Sequence, residues 1–213
     1  NADYGVVTDA QAAAIRLTLQ AWDAVIAPSL VETDDLANTG QIRIAFTDVN
    51  DVSGDEDTTA FAYRPPQPGY APSAWEGDVW LDETLKTSNF APNSEGYAAV
   101  LHELGHALGL QHPFGPGATF PAGYDNIRFT VMAYEAPQDT YYITVEPVDG
   151  VNRLVGRPVE ASTPMVFDIA AVQARYGADP TTAAGATTYT WSQAAPILQA
   201  VYDAGGSDTF DLS

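Results

Sequence analysis

Hydrophobic positions near the start of the chain recur with the period of an α-helix. Four of them follow one another at steps of three or four residues and so share one helical face: Ile15, Leu19, Trp22 and Ile26. Thr8 and Gln11 stand at capping-box spacing before this run, and Pro28 cannot continue a helix. The pattern predicts a helix that begins after Thr8 and ends before Pro28.

Three short segments after this helix have the pattern of β-strands. Residues 41–47 alternate between apolar and polar side chains, and residues 61–64 and 77–82 are short and largely apolar. Pro65 and Pro66 follow the second segment directly. Because proline cannot donate a hydrogen bond to a β-ladder, residues 61–64 are predicted to form an edge strand.

Two more helices are predicted further along the chain, over residues 94–108 and 164–176. Pro164 suits the first turn of the later helix, and Gly177 suits its end. The region between them, residues 113–163, is rich in Gly and Pro and is predicted to be mostly loop.

The charge balance excludes several classes of function. The chain has 28 acidic and 8 basic residues and a net charge of −20. Such a chain repels phosphate backbones and anionic lipids, so nucleic-acid binding is not expected. The sequence has no run of about 18 apolar residues, so membrane insertion is not expected either. It also lacks cysteine, which excludes disulfides, thiolate zinc sites and cysteine nucleophiles.

An Asp-rich segment, residues 48–57, allows two interpretations. Its carboxylates could form a calcium loop, but Val52 stands where the helix-loop-helix calcium pattern requires a ligand. A solvated acidic loop is the favoured interpretation.

All three histidines of the chain lie within eleven residues: His102, His106 and His112. Residues four apart on a helix lie about 40° apart around its axis, so His102 and His106 point the same way and can bind one metal ion. Gly109 can turn the chain cheaply after the helix, which lets His112 approach as a third ligand.

Three imidazoles without a thiolate favour zinc, and an open fourth coordination position favours a catalytic site over a structural one. Glu103 follows His102 directly and is predicted to lie beside the metal as the general base for a bound water. The competing interpretation is an amphipathic helix whose histidines bind nothing.

The segment from His102 to His112 resembles the metzincin zinc-protease signature H-E-x-x-H-x-x-G-x-x-H. Metzincins place a methionine turn beneath the zinc, and Met132, two residues before Tyr134, is similar to that turn in serralysins and astacins. Astacins carry disulfides and this chain has no cysteine, so the resemblance favours the serralysins.

Further stretches are similar to serralysins along most of the chain. Residues 168–178 resemble the helix after the methionine turn, and residues 61–66 and 77–80 resemble the edge strand and the strand that follows it. Residues 201–211 resemble the entry to a calcium-binding repeat roll.

The resemblance implies an α+β fold, α/β-like in the broad sense. This is the metzincin, or zincin, fold: a twisted mixed β-sheet with three helices, and zinc in a cleft between upper and lower subdomains. Residues 1–200 are expected to form the catalytic domain, and residues 201–213 to begin a repeat roll that is truncated here. A single Gly-Gly-x-Asp stretch is not expected to stack into a roll, because each turn needs neighbours. Ca²⁺ is a candidate cofactor of this tail.

The resemblance also assigns roles at one catalytic Zn²⁺. Tyr134 is implied to be an additional zinc ligand that moves to the reaction intermediate, with Met132 packed beneath the metal. The edge strand is a candidate substrate-binding strand, although a plain edge strand is equally compatible with the sequence; its residues are Phe61, Ala62, Tyr63 and Arg64.

The expected function is therefore that of a secreted, extracellular zinc endopeptidase of bacterial type, with association to the cell surface left open. Protein or peptide substrates are the expected partners, and a proteinaceous inhibitor or pro-segment is a candidate partner. The alternative is a non-enzymatic zinc- or calcium-binding module of a surface or adhesin protein.

Overall fold

The computed structural model describes residues 5–33, 41–50, 58–66, 71, 73–115, 120–121, 123–192 and 196–213. Three helices have defined bounds within these ranges: α1 (Asp9–Asp23), α2 (Glu95–Ala107) and α3 (Val166–Tyr176). The strands are β1 (Ile44–Thr47), β2 (Ala60–Ala62), β3 (Val79–Asp82), β4 (Tyr141–Val148), β5 (Val151–Pro158), β6 (Thr188–Thr190) and β7 (Thr209–Asp211). Most of the Asp-rich segment lies outside the described residues, so neither interpretation of it is tested.

Helix α1 begins where its capping box predicts. The Thr8 N–H donates to Gln11 Oε1 over 2.9 Å, and the Gln11 N–H donates to Thr8 Oγ1 over 3.3 Å. The prediction that the helix continues to Pro28 is wrong, because α1 ends at Asp23. Ile26 leaves the helix yet is buried, in a bridge with Ala178. A buried residue just past a helix end keeps the helical spacing, so the pattern alone does not reveal the end.

A mixed three-stranded sheet lies beside these helices in the order β1-β3-β2. Strands β1 and β3 are parallel, whereas β2 is antiparallel to β3 and forms the edge of this sheet. Beyond β2, the Tyr63 N–H still donates to the Asp78 carbonyl over 2.9 Å. Mixed sheets and three helices agree with the predicted α+β fold, which is confirmed.

The hydrophobic core lies between α1, α2 and the sheet. Trp22, Phe46 and Leu104 are fully buried there, and the Trp22 indole N–H donates to the Leu101 carbonyl over 3.1 Å. This bond satisfies the buried donor of Trp22 and ties α1 to the middle of α2.

The prediction that residues 113–163 are mostly loop missed one β-hairpin within this region. Strands β4 and β5 form an antiparallel hairpin in register from the Tyr141–Pro158 pair to the Val148–Val151 pair. Asp149 and Gly150 connect the strands, and both have positive φ, 53° and 75°. Asp-Gly is a strong hairpin signal, because both central residues of a type I′ turn need this conformation. The surrounding Gly and Pro residues masked that signal.

The C-terminal segment pairs with the preceding part of the chain. Strands β6 and β7 are parallel, with Thr188 opposite Thr209. The Asp208 carboxylate accepts the Thr187 N–H over 2.9 Å, and the Ala200 N–H donates to Thr163 Oγ1 over 2.8 Å. The strand that follows the Gly-Gly-x-Asp stretch thus pairs with an upstream strand that lacks this motif. The domain boundary at residue 200 stays a prediction.

Among the described residues, every helix is too short or too polar to cross a membrane.

Candidate metal centre

Helix α2 supplies two of the candidate ligands. Ser94 caps the helix, with its Oγ accepting the Tyr97 N–H over 3.4 Å. Most of the helix is buried against the core, and His102 and His106 lie one turn apart with ring centroids separated by 4.9 Å. The buried helix holds both imidazoles on the same side.

The end of α2 turns the chain so that the third histidine returns to the first two. Gly109 has a φ of +100°, the Gly109 N–H donates to the His106 carbonyl over 2.8 Å, and the Leu110 N–H donates to the Gly105 carbonyl over 2.9 Å. A Cβ atom at Gly109 would lie 3.2 Å from the Arg175 guanidinium. Both the conformation and the close approach favour glycine.

The three imidazoles converge through their Nε2 atoms. His112 Nε2 lies 3.1 Å from His102 Nε2 and 3.0 Å from His106 Nε2. A tetrahedral zinc ion with bonds of about 2.0–2.1 Å to nitrogen would place two such nitrogens about 3.3 Å apart. The donor set and its spacing therefore fit one zinc ion.

Backbone carbonyls select the tautomer that metal binding needs. His102 Nδ1 lies 2.7 Å from the Val131 carbonyl oxygen, and His106 Nδ1 lies 3.0 Å from the Leu110 carbonyl oxygen. A carbonyl only accepts, so each Nδ1 carries the proton. Each Nε2 is left with a free lone pair directed at the centre.

Electrostatics keeps the candidate ligands neutral. Burial, with His106 nearby, lowers the pKa of His102 to about 3. Burial and the same neighbour lower the pKa of His112 to about 4, and burial lowers that of His106. The protein therefore offers neutral imidazoles at neutral pH, so metal binding does not need to displace a second proton from them.

Glu103 places a carboxylate with an unsatisfied oxygen in the same region. Its side chain is only 6% exposed, and its Oε2 has no hydrogen-bond partner among the described residues. Burial raises the pKa of Glu103 to about 8 in the metal-free protein. A buried acceptor without a partner is costly, and a water on a neighbouring metal ion would satisfy it.

The methionine turn, residues 130–134, packs directly against α2. Met132 is buried, and a Cβ atom added at Gly105 would lie 2.5 Å from its Sδ. Tyr134 follows on the same turn, with its Oη 3.1 Å from His112 Nε2, and burial and then Glu103 raise its pKa. Although Tyr134 is 69% exposed, its phenol reaches the three-histidine centre.

Of the four predicted residues on the substrate strand, Arg64 has an electrostatic link to the histidines. Its charge contributes to the lowered pKa values of His106 and His112. Phe61 and Tyr63 contact each other edge to face, with ring centroids 5.5 Å apart. Ala62 pairs with Val79 of β3.

Two residues at the centre were missed by the sequence reasoning. Phe114 stacks on His112 with a ring separation of 4.7 Å, and it also contacts Tyr134. Asp168 is buried behind the methionine turn, where it accepts hydrogen bonds from Thr130 and Val131. Asp168 stands in the first turn of its helix, a position typical of a cap, so the sequence gives no separate signal of a link to the methionine turn.

This centre is typical of zinc metallopeptidases, and comparison with known proteins identifies the family. Residues 2–141 match the matrixin family of peptidases, and the chain belongs to that family. This match confirms the predicted class of protein, the zinc metallopeptidases, and the three histidines fit zinc as the predicted cofactor.

Among the relatives of known name, the chain is similar to several serralysins. Serralysin of Photorhabdus laumondii is 30% identical over 99% of this chain and 45% of its own length. Metallopeptidase AprA of Pseudomonas marginalis is 31% identical over 95% of this chain and 44% of its own length. Serralysin A of Dickeya chrysanthemi is 29% identical over 96% of this chain and 43% of its own length. The predicted likeness to serralysins is confirmed, and the chain spans less than half the length of these relatives.

Proposed function

We propose that the chain acts as a secreted zinc endopeptidase that hydrolyses peptide bonds within proteins. The observation that carries this proposal is the convergence of three Nε2 atoms together with a buried Glu103 carboxylate, whose Oε2 has no partner among the described residues and whose charge acts on Tyr134 at that centre. A structural zinc site closes all four positions with protein ligands and has no need of a buried free carboxylate.

His102, His106 and His112 would hold the zinc. Zinc, when bound, lowers the pKa of water and polarises a carbonyl group. Glu103 accepts the proton of the attacking water and later delivers it to the leaving amine. Tyr134 withdraws its phenol from the centre when substrate arrives and donates a hydrogen bond to the oxyanion of the tetrahedral intermediate. Its exposure supports this role, because an exposed ring has room to swing.

The substrate adds to the free edge of β2, which has no neighbouring strand on that side among the described residues. The Tyr63 N–H donates to the Asp78 carbonyl just before β3, and the Thr59 carbonyl accepts the Asp82 N–H of β3. Backbone groups alternate in direction along a strand. Ala60, Ala62 and Arg64 therefore direct their backbone groups to the free edge. Backbone pairing reads side chains weakly, so cleavage is expected at many peptide sequences.

The remaining expectations concern the whole protein. The names of the relatives support a peptidase. The extracellular location, the cleft between two subdomains, a pro-segment or inhibitor, and Ca²⁺ at the C-terminal segment stay predictions. Association with the cell surface stays open.

The decisive experiment compares the Glu103→Gln variant with the wild-type chain. Glutamine keeps the size of the side chain but cannot accept the proton, so casein hydrolysis should fall by about 10²–10⁴-fold while the zinc content stays at one ion per chain. A chelator should abolish wild-type hydrolysis, and added zinc should restore it. The matched control is Glu160→Gln, a partly buried glutamate whose pKa is also raised by burial and then by Glu95.

The same experiment tests the non-enzymatic alternative. A zinc-binding module would bind one zinc ion and show no chelator-sensitive hydrolysis of casein or of a peptide library. Full activity of Glu103→Gln with zinc bound would contradict the base assignment instead.

A further inference from the structure

A buried carboxylate on α3 lies behind the metal centre without contacting it. Asp168 is only 2% exposed, and its Oδ2 accepts the Val131 N–H over 2.7 Å and the Met165 N–H over 2.8 Å. Its Oδ1 accepts the Thr130 hydroxyl over 2.5 Å. The carboxylate therefore joins the start of α3 to the methionine turn.

The peptide groups of the methionine turn carry this contact on to a candidate zinc ligand. The Val131 N–H is held by Asp168, and the Val131 carbonyl accepts His102 Nδ1–H over 2.7 Å. Thr130 reinforces the turn, because its Oγ1 also accepts the Met132 N–H over 3.0 Å. Asp168 thus fixes the residue that orients the imidazole of His102.

The interactions of Asp168 are strong for physical reasons. Hydrogen bonds to an ionised acceptor are shorter and roughly twice as strong as neutral ones. Burial raises the pKa of Asp168 to about 6, against the opposing effect of its hydrogen bonds, so the carboxylate is mainly ionised at neutral pH. Outer partners of a ligating histidine typically change metal affinity 10–100-fold when they are mutated.

We propose that Asp168 is a positioning residue of the zinc centre, acting on His102 through Thr130 and Val131 of the methionine turn. The inference rests on the proposed function, because it needs His102 to be a zinc ligand. Asp168 itself contacts neither the metal nor the substrate.

The experiment measures zinc affinity and zinc release, by competition with a chromogenic chelator at neutral pH, well below the unfolding temperature of every variant. Asp168→Ala should weaken zinc binding by about 10–100-fold. Asp168→Asn should lose less affinity than Asp168→Ala, since its amide oxygen can still accept the Val131 and Met165 N–H groups, although as a neutral and weaker acceptor.

Asp82→Ala is the matched control. Asp82 is 4% exposed and also accepts three hydrogen bonds, from the Val49 N–H and from the N–H and hydroxyl of Thr84, but it lies at the end of β3. This variant should lose unfolding free energy as Asp168→Ala does and keep the zinc affinity of the wild-type chain.

The outcomes separate the two proposals. Wild-type affinity in Asp168→Ala, or an equal loss of affinity in Asp82→Ala, would overturn the positioning role while the proposed function stands. A wild-type chain that binds no zinc would overturn the proposed function itself. If Asp168→Ala fails to fold, Thr130→Val provides the test: it removes the hydroxyl bonded to Asp168 and should lower zinc affinity by a smaller factor, and unchanged affinity would overturn the inference.

Discussion

The three histidines are held at one centre by three different sets of contacts. His102 is held by a carbonyl of the methionine turn, and His106 by the Leu110 carbonyl in the turn that ends its own helix. His112 is packed between Phe114 on one side and Tyr134 on another. The contact of His102 depends on the distant methionine turn, and that of His106 on a residue close in sequence. His112 uses both, since Phe114 is close in sequence and Tyr134 belongs to the methionine turn.

Tyr134 provides a prediction at the residue scale. Tyr134→Phe removes the phenol that donates to the oxyanion, and kcat should fall by about 10²–10³-fold with KM little changed. Steady-state kinetics on a peptide substrate measures both constants. Tyr124→Phe is the control, because Tyr124 is also exposed and packs against Phe129. Equal kinetics of Tyr134→Phe and the wild-type chain would exclude the proposed role.

At the scale of elements, the metal centre depends on the end of α2, where the chain turns back, and on the edge strand β2, which is followed by Arg64. The sequence predicted both, because two prolines follow the strand and Gly109 follows the helix. It did not predict the β4–β5 hairpin. The Asp-Gly turn of this hairpin is a local signal for a hairpin. However, the two strands contain Pro147, Gly156 and Pro158, and these residue types disfavour a strand. Pairing between the two strands outweighed those preferences.

Ala62 tests the substrate strand. Its backbone N–H is directed to the free edge of β2, so Ala62→Pro removes a donor to the substrate without removing a bond to β3. KM for an extended peptide should rise about tenfold, the equivalent of one hydrogen bond, and the unfolding free energy should change little. A short substrate that does not reach the strand is the control. An unchanged KM for the extended peptide would indicate that β2 is a plain edge strand.

The whole molecule sets the ionisation of the centre through burial. The pKa of His102 in the folded, metal-free protein is about 3, far below the value of about 6.5 for an exposed histidine. The unfolded chain therefore takes up a proton as the pH falls through 6.5, whereas the folded chain does not until about pH 3. Because only the unfolded chain gains this proton, the unfolding free energy is highest above pH 6.5 and falls progressively as the pH drops below that value.

Metal-free wild-type protein should consequently lose more unfolding free energy on acidification than its His102→Asn variant. Asparagine can still donate to the Val131 carbonyl but does not titrate. Denaturant unfolding in the presence of a chelator, at neutral pH and near about pH 5, gives the difference. Asp168 has a raised pKa and acts in the opposite direction in both proteins, so its effect cancels. Parallel pH curves would show that His102 is protonated as easily in the folded chain as in the unfolded one.

The sequence by itself determined the chemistry of the centre. Three histidines at fixed spacing around Glu103 and Gly109 define a ligand set, because helical geometry alone brings His102 and His106 together. The helix cap at Thr8 also followed from a local pattern, whereas the α+β class followed from the resemblance to metzincins.

Only the tertiary structure decided how that centre is held. The contact between Asp168 and Val131 joins residues 37 positions apart, and the bond between Val131 and His102 joins residues 29 positions apart. Such contacts arise when helices and turns pack together, so no periodic pattern along the chain records them. The pairing of β6 with β7 has the same origin, since the hydrogen bond beside it, from Thr187 to Asp208, joins residues 21 positions apart.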